Sequence, residues 1–247
     1  MKIDIIGDIH GCLDELHRLL NQLGYQKQAA SFYHPDGRVP VFVGDISDRG
    51  PNSVGVIRLV CDMVLKKRNA KYVPGNHCNK LYRYFLGNNV MLKHGLETTV
   101  AELQGLDEDE RKSISSQFMT LYETAPLYLE IPEANAVIAH AGIKESYIGR
   151  HDKKVKTFVL YGDVTGKQDD QGRPVRLDWA RDYEGTRWII YGHTPVMKPR
   201  MVNKTINIDT GCVFGNALTA FRLPEEEAIT IPSSQPLVEE KFTSFTD

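Results

Sequence analysis

Residues 3–11 read IDIIGDIHG and place a short apolar segment directly before a glycine-bounded turn. Isoleucine-rich segments of this length are typical of buried strands, and Asp8 and His10 fall in the turn that follows. After Gly11, leucines recur at helical spacing as far as Leu23, and a glycine follows where a helix would end. The opening of the chain therefore predicts a strand, a turn whose aspartate and histidine are of the types that bind metals, and a helix.

This order of elements recurs along the first part of the chain. Residues 39–43 are apolar and predict a second strand, a loop follows at 44–51, and residues 54–64 suit a buried helix. A third short strand is predicted at 71–73, before a loop at 74–76. Strands that alternate with helices favour an α/β sandwich in this part of the chain.

The remainder of the chain has a different pattern. Residues 79–124 carry helical periodicity and few strand signals, whereas 144–186 are polar and loop-rich. Strand signals occur at five places, which are 127–131, 136–139, 188–191, 205–208 and 218–223. We expect one domain over residues 1–232, with a helical insertion at about 79–124, and a C-terminal tail at 233–247.

Composition and charge exclude several classes of protein. The 247 residues include 30 basic and 32 acidic side chains, which give a formal net charge of −2 and argue against strong nucleic-acid binding. No apolar run approaches the ~20 residues of a membrane span, and Met1–Asp4 lacks the pattern of a signal peptide. The four cysteines form no CxxC pair, so we expect reduced thiols in a cytoplasmic protein without a membrane partner.

Metal-type side chains follow predicted strands in five segments, which are GDIHG at 7–11, GDISDRG at 44–50, GNH at 75–77, AHAG at 139–142 and GHT at 192–194. Because the carboxyl ends of strands form the ligand crevice of an α/β sheet, we expect these segments to converge. The candidate metal ligands are Asp8, His10, Asp45, Asn76, His140 and His193. Carboxylate, amide and imidazole ligands together suit Mn, Fe, Ni, Co or Zn.

Each of these signals is weak alone, since a lone buried histidine is more often a satisfied core residue than a ligand. Five such signals at strand ends, each beside a glycine, favour a common site. Six ligands exceed the need of one metal and predict two ions about 3.5–4 Å apart that share a carboxylate. Asp45 is the candidate for the shared ligand, and a hydroxide between the metals would attack phosphorus without a protein nucleophile.

Three further residues complete the predicted catalytic set. Arg49 carries a planar guanidinium that can hold two phosphate oxygens, which lysine cannot match. His77 follows the ligand Asn76 directly and is the candidate general acid for the leaving oxygen. Asp48 would hold the imidazole of His77 in the required tautomer. Taken alone, the Asp48-Arg49 pair could equally be a solvated surface pair.

The five segments, in this order, resemble the calcineurin-like metallophosphoesterases and in particular their phosphoprotein-phosphatase branch, whose motifs are GDxHG, GDxxDRG, GNH, a histidine after a strand, and GH. The resemblance implies an α+β or α/β fold in which a β-sandwich is flanked by helices and carries two metals at one edge. It implies that one metal is held by Asp8, His10 and Asp45, and the other by Asp45, Asn76, His140 and His193. Mn, Ni, Co and Fe all remain candidates for the two divalent ions.

Residues 73–81, 94–99, 160–163 and 210–215 resemble a group of bacterial bis(5′-nucleosyl)-tetraphosphatases. This resemblance implies asymmetric cleavage of diadenosine tetraphosphate to ATP and AMP, with a small-molecule dinucleoside polyphosphate as the partner. The same segments are similar to the phosphatase domain of bacterial RNA-repair enzymes, so a phosphomonoesterase acting on phosphoprotein or RNA ends is the alternative. A catalytically weak nucleotide-binding module is a third reading, against which the complete ligand set argues. The bases would need apolar platforms, for which the candidates are Tyr82, Tyr84, Phe85 and Tyr161.

Two positions leave alternatives open. Cys78 stands where many relatives have glutamate, and it is either a reactive thiol near the metals or a small residue that points away. A second phosphate-binding arginine is expected between His140 and His193, and Arg176 is favoured over Arg173. A solvated arginine in a polar loop is the alternative interpretation of Arg176.

Overall fold

The computed structural model describes residues 1–168 and 174–244, in which two mixed five-stranded sheets pack face to face. The first sheet contains β1 (Ile3–Ile6), β4 (Val39–Phe42), β5 (Lys71–Tyr72), β13 (Ala217–Leu223) and β14 (Glu227–Pro232), in the order β14-β13-β1-β4-β5. The second contains β6 (Leu129–Ile131), β7 (Ala136–Ile138), β10 (Trp188–Tyr191), β11 (Arg200–Val202) and β12 (Thr205–Asn207), in the order β11-β12-β10-β7-β6. Two hairpins are added by β2 (Gln26–Gln28) with β3 (Ser31–Tyr33) and by β8 (Val164–Gln168) with β9 (Pro174–Arg176).

Helices cover the outer faces of both sheets. The outer face of the first sheet packs against α1 (Leu13–Gln22), α2 (Ser53–Cys61), α3 (Asn76–Phe85), α4 (Leu96–Gln104) and α5 (Glu108–Thr124). The outer face of the second sheet packs against α6 (Lys153–Tyr161). The predicted sandwich flanked by helices is therefore confirmed. Within the described residues, no helix has both the length and the apolar composition that crossing a membrane requires.

The first strand shows how the layers are held together. Ile3 and Ile5 point into the core between the sheets, whereas Ile6 points into the core beneath the helices. All three side chains are completely buried, as expected for a central strand with parallel and antiparallel neighbours. Each such side chain contributes about 1.5–3 kcal/mol through burial, so both cores depend on the alternation within this strand.

The sheet topology brings the predicted site together. β1, β4 and β5 are parallel neighbours in the first sheet, and β7, β10 and β12 are parallel neighbours in the second. The loops after these six strands therefore leave their sheets at carboxyl ends. Nδ1 of His140, after β7, lies 2.8 Å from the carbonyl oxygen of Val43, after β4, and this hydrogen bond connects the two sheet edges. The site thus lies where the two sheets meet.

The structure differs from the sequence expectations in the second half of the chain. The expectation of a loop-rich segment at 144–186 was wrong, because it contains α6. The side chain of Asp152 caps this helix by accepting from the backbone N–H groups of Lys154 and Val155, and Val155 and Phe158 are buried. Polar residues between these apolar ones weaken the helical periodicity of the sequence. The buried face of α6 is therefore evident only from its packing against the second sheet.

The C-terminal segment lies against the body of the protein as far as it is described. The backbone N–H of Ser233 donates to the carbonyl of Asn216, and that of Thr243 donates to the carbonyl of Pro195. Residues 245–247 lie outside the described part of the chain. The division into a domain at 1–232 and a tail stays a prediction, as does the boundary of the insertion, within which α3, α4 and α5 lie almost entirely.

We predict that Asp4→Ala lowers the free energy of unfolding by about 3 kcal/mol, because it leaves buried arginine without its main partner. The fully buried Asp4 carboxylate accepts from Arg38 (2.7 Å), Arg222 (2.9 Å) and the Tyr25 hydroxyl (2.8 Å). Urea denaturation measures the change. Glu108→Ala is the control, since its exposed pair with Lys112 should contribute less than ~1 kcal/mol; equal losses would contradict the argument.

Candidate metal centre

The backbone of the site is held in conformations that side chains usually avoid. His10 (φ 44°), Asp45 (35°), Asp48 (75°), Arg49 (72°) and His193 (73°) all have left-handed φ values. Such conformations cost about 1–3 kcal/mol each for residues other than glycine. All five lie in three of the five segments predicted to carry chemistry, which indicates that these three loops are shaped for a site rather than for stability.

Two glycines allow the loops after β4 and β5 to touch. A Cβ atom on Gly75 would lie 2.1 Å from Oδ1 of Asp45, and one on Gly44 would lie 2.5 Å from the backbone nitrogen of Gly75. Both distances are far below any real carbon contact, so side chains are excluded at these positions. The close approach places Asn76 and His77, at the start of α3, directly over Asp45.

Asp45 lies at the centre of the candidate ligands. Its carboxylate belongs to a group with His10 and His77 and to a second group with His140 and His193. Within each group all candidate ligand atoms lie within 4.8 Å of one another. Asp45 is therefore common to two groups of side chains, the first of which contains His77 and not the Asp8 expected there from the sequence.

On the side of the first sheet, hydrogen bonds orient the candidate ligands. Nδ1 of His10 lies 2.8 Å from the carbonyl oxygen of Ser47, which leaves Nε2 of His10 facing Oδ2 of Asp45 at 3.7 Å. The backbone N–H of His77 donates to Oδ1 of Asp45 at 2.9 Å. Engaging one ring nitrogen with a carbonyl is how proteins orient a histidine toward a metal.

On the side of the second sheet, His140 is oriented in the same way. Its Nδ1 lies against Val43, and its Nε2 faces Oδ2 of Asp45 (3.4 Å), Oδ1 of Asn76 (3.0 Å) and Nδ1 of His193 (3.1 Å). Nε2 of His193 is buried and has no hydrogen-bond partner among the described residues. Converging carboxylate, amide and imidazole donors, one of them an orphaned buried nitrogen, fit a divalent metal ion.

Asp8 contacts both histidines that follow strands of the second sheet. Its carboxylate accepts from the backbone N–H of His193 at 3.2 Å, and its Oδ2 lies 4.0 Å from Nδ1 of His140. It belongs to neither of the groups that contain Asp45 in the described part of the chain. The structure thus brings all six predicted ligands to one site, in which His77 lies next to His10 and Asp8 lies next to His140.

Burial makes the charges of the site interdependent. Burial opposes ionisation of Asp45, but the imidazoles of His140 and His77 lower the pKa of its carboxyl well below the usual range. Burial would lower the pKa of His140, yet Asp45 and Asp8 raise it to about 9. Burial lowers the pKa of His10, which favours the neutral imidazole that a metal requires. A divalent cation would balance the buried carboxylates.

The predicted pair of His77 and Asp48 is present and buried. Nδ1 of His77 lies 2.7 Å from Oδ2 of Asp48. The other carboxylate oxygen accepts from the hydroxyl of Thr99 on α4 at 2.7 Å, and the backbone N–H of Asp48 donates to the Ser53 hydroxyl at 3.0 Å. Sequence reasoning missed Thr99, although it lies in the 94–99 segment that carried the resemblance.

Arg49 extends over the ligand cluster. Its backbone N–H donates to the carbonyl of Gly95 at 3.0 Å, and its guanidinium carbon lies 5.3 Å from the ring centroid of Phe214. One guanidinium nitrogen lies 2.8 Å from Nε2 of His10. No carboxylate of the described residues forms an ion pair with Arg49, so its remaining N–H groups are available to an anion.

Arg176 lies near His193. It lines a small cavity with His193, Tyr191 and Leu177, and its guanidinium donates to the carbonyl oxygen of Tyr161. Burial lowers the pKa of Arg176, and its charge contributes to the lowered pKa of His193. These contacts favour a role at the site over a solvated loop position. Arg173 lies outside the described residues.

Asp209 is a buried acid of the site that sequence reasoning missed. It follows β12, a parallel neighbour of β10, and its charge helps to raise the pKa of Asp8. Burial raises the pKa of Asp209 itself to about 6. The same rule that found the other candidates, an acid after a strand and close to a glycine, applies to Asp209 and Gly211.

The remaining candidates have ordinary structural surroundings. Cys78 is completely buried in the helical core, and burial raises its pKa to about 12, which agrees with a small inert residue. Tyr82 stacks on Tyr122 with ring centroids 4.4 Å apart. Phe85 packs against Phe118, whereas Tyr161 is exposed.

The sequence profile of the calcineurin-like phosphoesterases matches residues 1–197. The chain belongs to this family. Members of the calcineurin-like phosphoesterase family use divalent metal ions, and the ligand groups around Asp45 are candidates to bind them.

The chain is 61% identical over 245 residues to a protein of Halalkalibacterium halodurans named bis(5′-nucleosyl)-tetraphosphatase PrpE (asymmetrical), and the match covers 99% of both chains. It is 59% identical to the protein of the same name from Oceanobacillus iheyensis, over 99% of this chain and 98% of that protein.

Solved structures agree with this family membership. A crystal structure provisionally identified as a diadenosine tetraphosphatase aligns with a TM-score of 0.65 and 26% identity, over 94% of this chain and 93% of that chain. A cold-active protein-tyrosine phosphatase of a Shewanella species aligns with a TM-score of 0.55 and 17% identity, over 93% of this chain and 80% of that chain. The second similarity shows the shared fold alone.

We predict that Gly75→Ala removes most of the bound metal while the fold is retained. The added methyl group would collide with the carboxylate and the backbone nitrogen of Asp45, which cannot withdraw without shifting the loop after β4. Metal content after purification and circular dichroism measure the two outcomes. Gly105→Ala is the matched control, because its Cβ would have no neighbour closer than 3.4 Å. Unchanged metal content in Gly75→Ala would refute the close-approach argument.

Proposed function

We propose that this chain hydrolyses bis(5′-nucleosyl) tetraphosphates and cleaves diadenosine tetraphosphate asymmetrically to ATP and AMP. The observation that carries the proposal is the convergence of Arg49, His77 and the other five candidate metal ligands around the buried Asp45. The named activity of relatives 59–61% identical over nearly the whole chain supports the substrate. The substrate is therefore a small-molecule dinucleoside polyphosphate.

The proposed metal ligands form two sets that share Asp45. Asp8, His10 and Asp45 would hold one ion, and the other would be held by Asp45, Asn76, His140 and His193. The mixed donor set suits two divalent ions among Mn, Ni, Co and Fe. When bound, such ions polarise a phosphoryl oxygen and supply an activated water at neutral pH. The orphaned Nε2 atom of His193 and the orientation of Nε2 of His10 toward Asp45 support the assignment.

Two arginines would bind the phosphate. Arg49 reaches the cluster beside His10, and its guanidinium forms a cation–π contact with the ring of Phe214. Arg176 reaches the cluster beside His193. The two guanidinium groups would orient the phosphoryl group and stabilise the negative charge on its oxygens in the transition state.

His77 would protonate the leaving oxygen. Asp48 engages Nδ1 of His77, so Nε2 is the atom that can present a proton to the substrate. Thr99 fixes the carboxylate of Asp48 and thus the orientation of the ring. Because the phosphate group released from an anhydride is a weak base, protonation by His77 should accelerate cleavage of a dinucleoside tetraphosphate less than cleavage of an alkyl phosphate.

We place the enzyme in the cytoplasm. All four cysteines are free and buried, which suits a reducing compartment. A net charge of −2 agrees with a small-molecule substrate rather than strong nucleic-acid binding.

Product analysis tests the proposed reaction. Early time points of the reaction with diadenosine tetraphosphate should contain ATP and AMP in equal amounts, as chromatography measures. ADP as the sole product would assign a symmetrical cleavage instead. If the dinucleotide is inert while a phosphopeptide or an RNA end releases phosphate quickly, the alternative phosphomonoesterase activity replaces the proposal.

We predict that Asp45→Asn abolishes hydrolysis and removes more than one equivalent of metal, because one carboxylate serves both sets of ligands. Elemental analysis of the dialysed protein measures the stoichiometry. Asp36→Asn removes an exposed carboxylate in the same chain and should keep the full metal content. An Asp45→Asn protein that still retains both metals would rule out the shared ligand.

A further inference from the structure

Lys80 lies close to the proposed catalytic residues but takes no part in the chemistry described so far. It is on α3, three residues after His77 and four after Asn76, and therefore on the same face of the helix, one turn farther along. The side chain is half-buried. The position of α3 over Asp45 thus extends the site from the metal ligands to a lysine.

A hydrogen bond ties the Lys80 ammonium to the loop that holds Arg49. Nζ of Lys80 donates to the carbonyl oxygen of Lys93 at 2.5 Å. Two residues later, the carbonyl of Gly95 accepts from the backbone N–H of Arg49. The charges that act most on Lys80 belong to Asp48, Glu97 and Arg49. The ammonium therefore lies within electrostatic reach of both the phosphate-binding arginine and the aspartate that orients His77.

The ammonium has unused binding capacity. It carries three N–H donors, and the contact with Lys93 engages one of them. No carboxylate among the described residues lies within 4 Å of Nζ, although Glu97 is close enough to influence its charge. Partial burial lowers the pKa of Lys80, and Asp48 and Glu97 oppose that effect. A half-buried cation beside a second cation is stabilised when an anion binds between them.

We propose that Lys80 binds the phosphate group next to the one that is attacked, and so selects polyphosphate over monoester substrates. The inference rests on the proposed function. His77 would face the leaving oxygen, and in a dinucleoside polyphosphate that oxygen is bonded to a second phosphorus, whichever product leaves. In a phosphomonoester the same oxygen is bonded to carbon, so there is no second phosphate for Lys80 to bind. Lys80 is thus a specificity-determining residue.

The test compares two substrates with one pair of variants. Lys80→Met keeps the aliphatic stem, and it should lower kcat/KM for diadenosine tetraphosphate by about 10–100-fold, the effect of one charge-assisted hydrogen bond. The loss on p-nitrophenyl phosphate should be less than about 2-fold, since that substrate has no second phosphate. Lys80→Arg should recover most of the lost activity. Lys112→Met, at an exposed lysine of α5, is the control and should match the unaltered enzyme.

Equal losses on both substrates would overturn the inference, because they would mean that Lys80 only fixes the loop at Lys93. An inhibition experiment keeps the test independent of the proposed function. With p-nitrophenyl phosphate as the substrate and Mn²⁺ in excess, tripolyphosphate should inhibit Lys80→Met more weakly than it inhibits the unaltered enzyme, and orthophosphate should inhibit both equally. If the unaltered enzyme ignores diadenosine tetraphosphate but shows this difference, the proposed reaction fails and the polyphosphate subsite stands. If tripolyphosphate inhibits both proteins equally, the subsite fails.

Discussion

The site depends on the burial of one carboxylate, that of Asp45, between the edges of two sheets. A charged carboxylate costs several kcal/mol to bury, and it is stable here only because partners converge on it from both sides. The backbone N–H of His77 arrives from the first sheet, and the imidazole of His140 arrives from the second. Because neither sheet supplies both partners, the carboxylate couples the packing of the sandwich to the formation of the site. The left-handed backbone of Asp45 and the absence of a side chain at Gly75 are the local costs of this arrangement.

The helices beside the first sheet position the side chains proposed to act on the substrate around this centre. Thr99 on α4 holds Asp48, and the carbonyl of Gly95 just before α4 holds Arg49. The same segment is bonded to Lys80 on α3. Arg49, Lys80 and the aspartate that orients His77 are therefore positioned by one helical segment, whereas the proposed metal ligands belong mainly to strand ends. This separation allows the substrate to be chosen by the helices while the metal chemistry stays with the sheets.

Much of the fold and the site was predictable because the signals are local. The strands before Asp8, Asp45, His140 and His193 consist of short apolar runs, and the residues after them belong to the types that bind metals. The helix α6 was missed because polar residues interrupt its apolar face, and its buried residues are defined by contact with the second sheet. Hairpin strands such as Gln26–Gln28 were missed because every residue in that strand is exposed, so no alternation marks it.

The sequence by itself determined which residue types stand at the strand ends, and with them the family, the candidate ligands and the pair of His77 and Asp48. Only the tertiary structure decided which of these side chains are neighbours. It placed Asp8 beside His140, added Asp209 as a further buried acid, and set Thr99 against Asp48. The physical reason is that residue type and helical or strand periodicity are properties of neighbouring positions. Distances between segments far apart in the chain depend on how two sheets and their helices pack, and only the whole molecule specifies that packing.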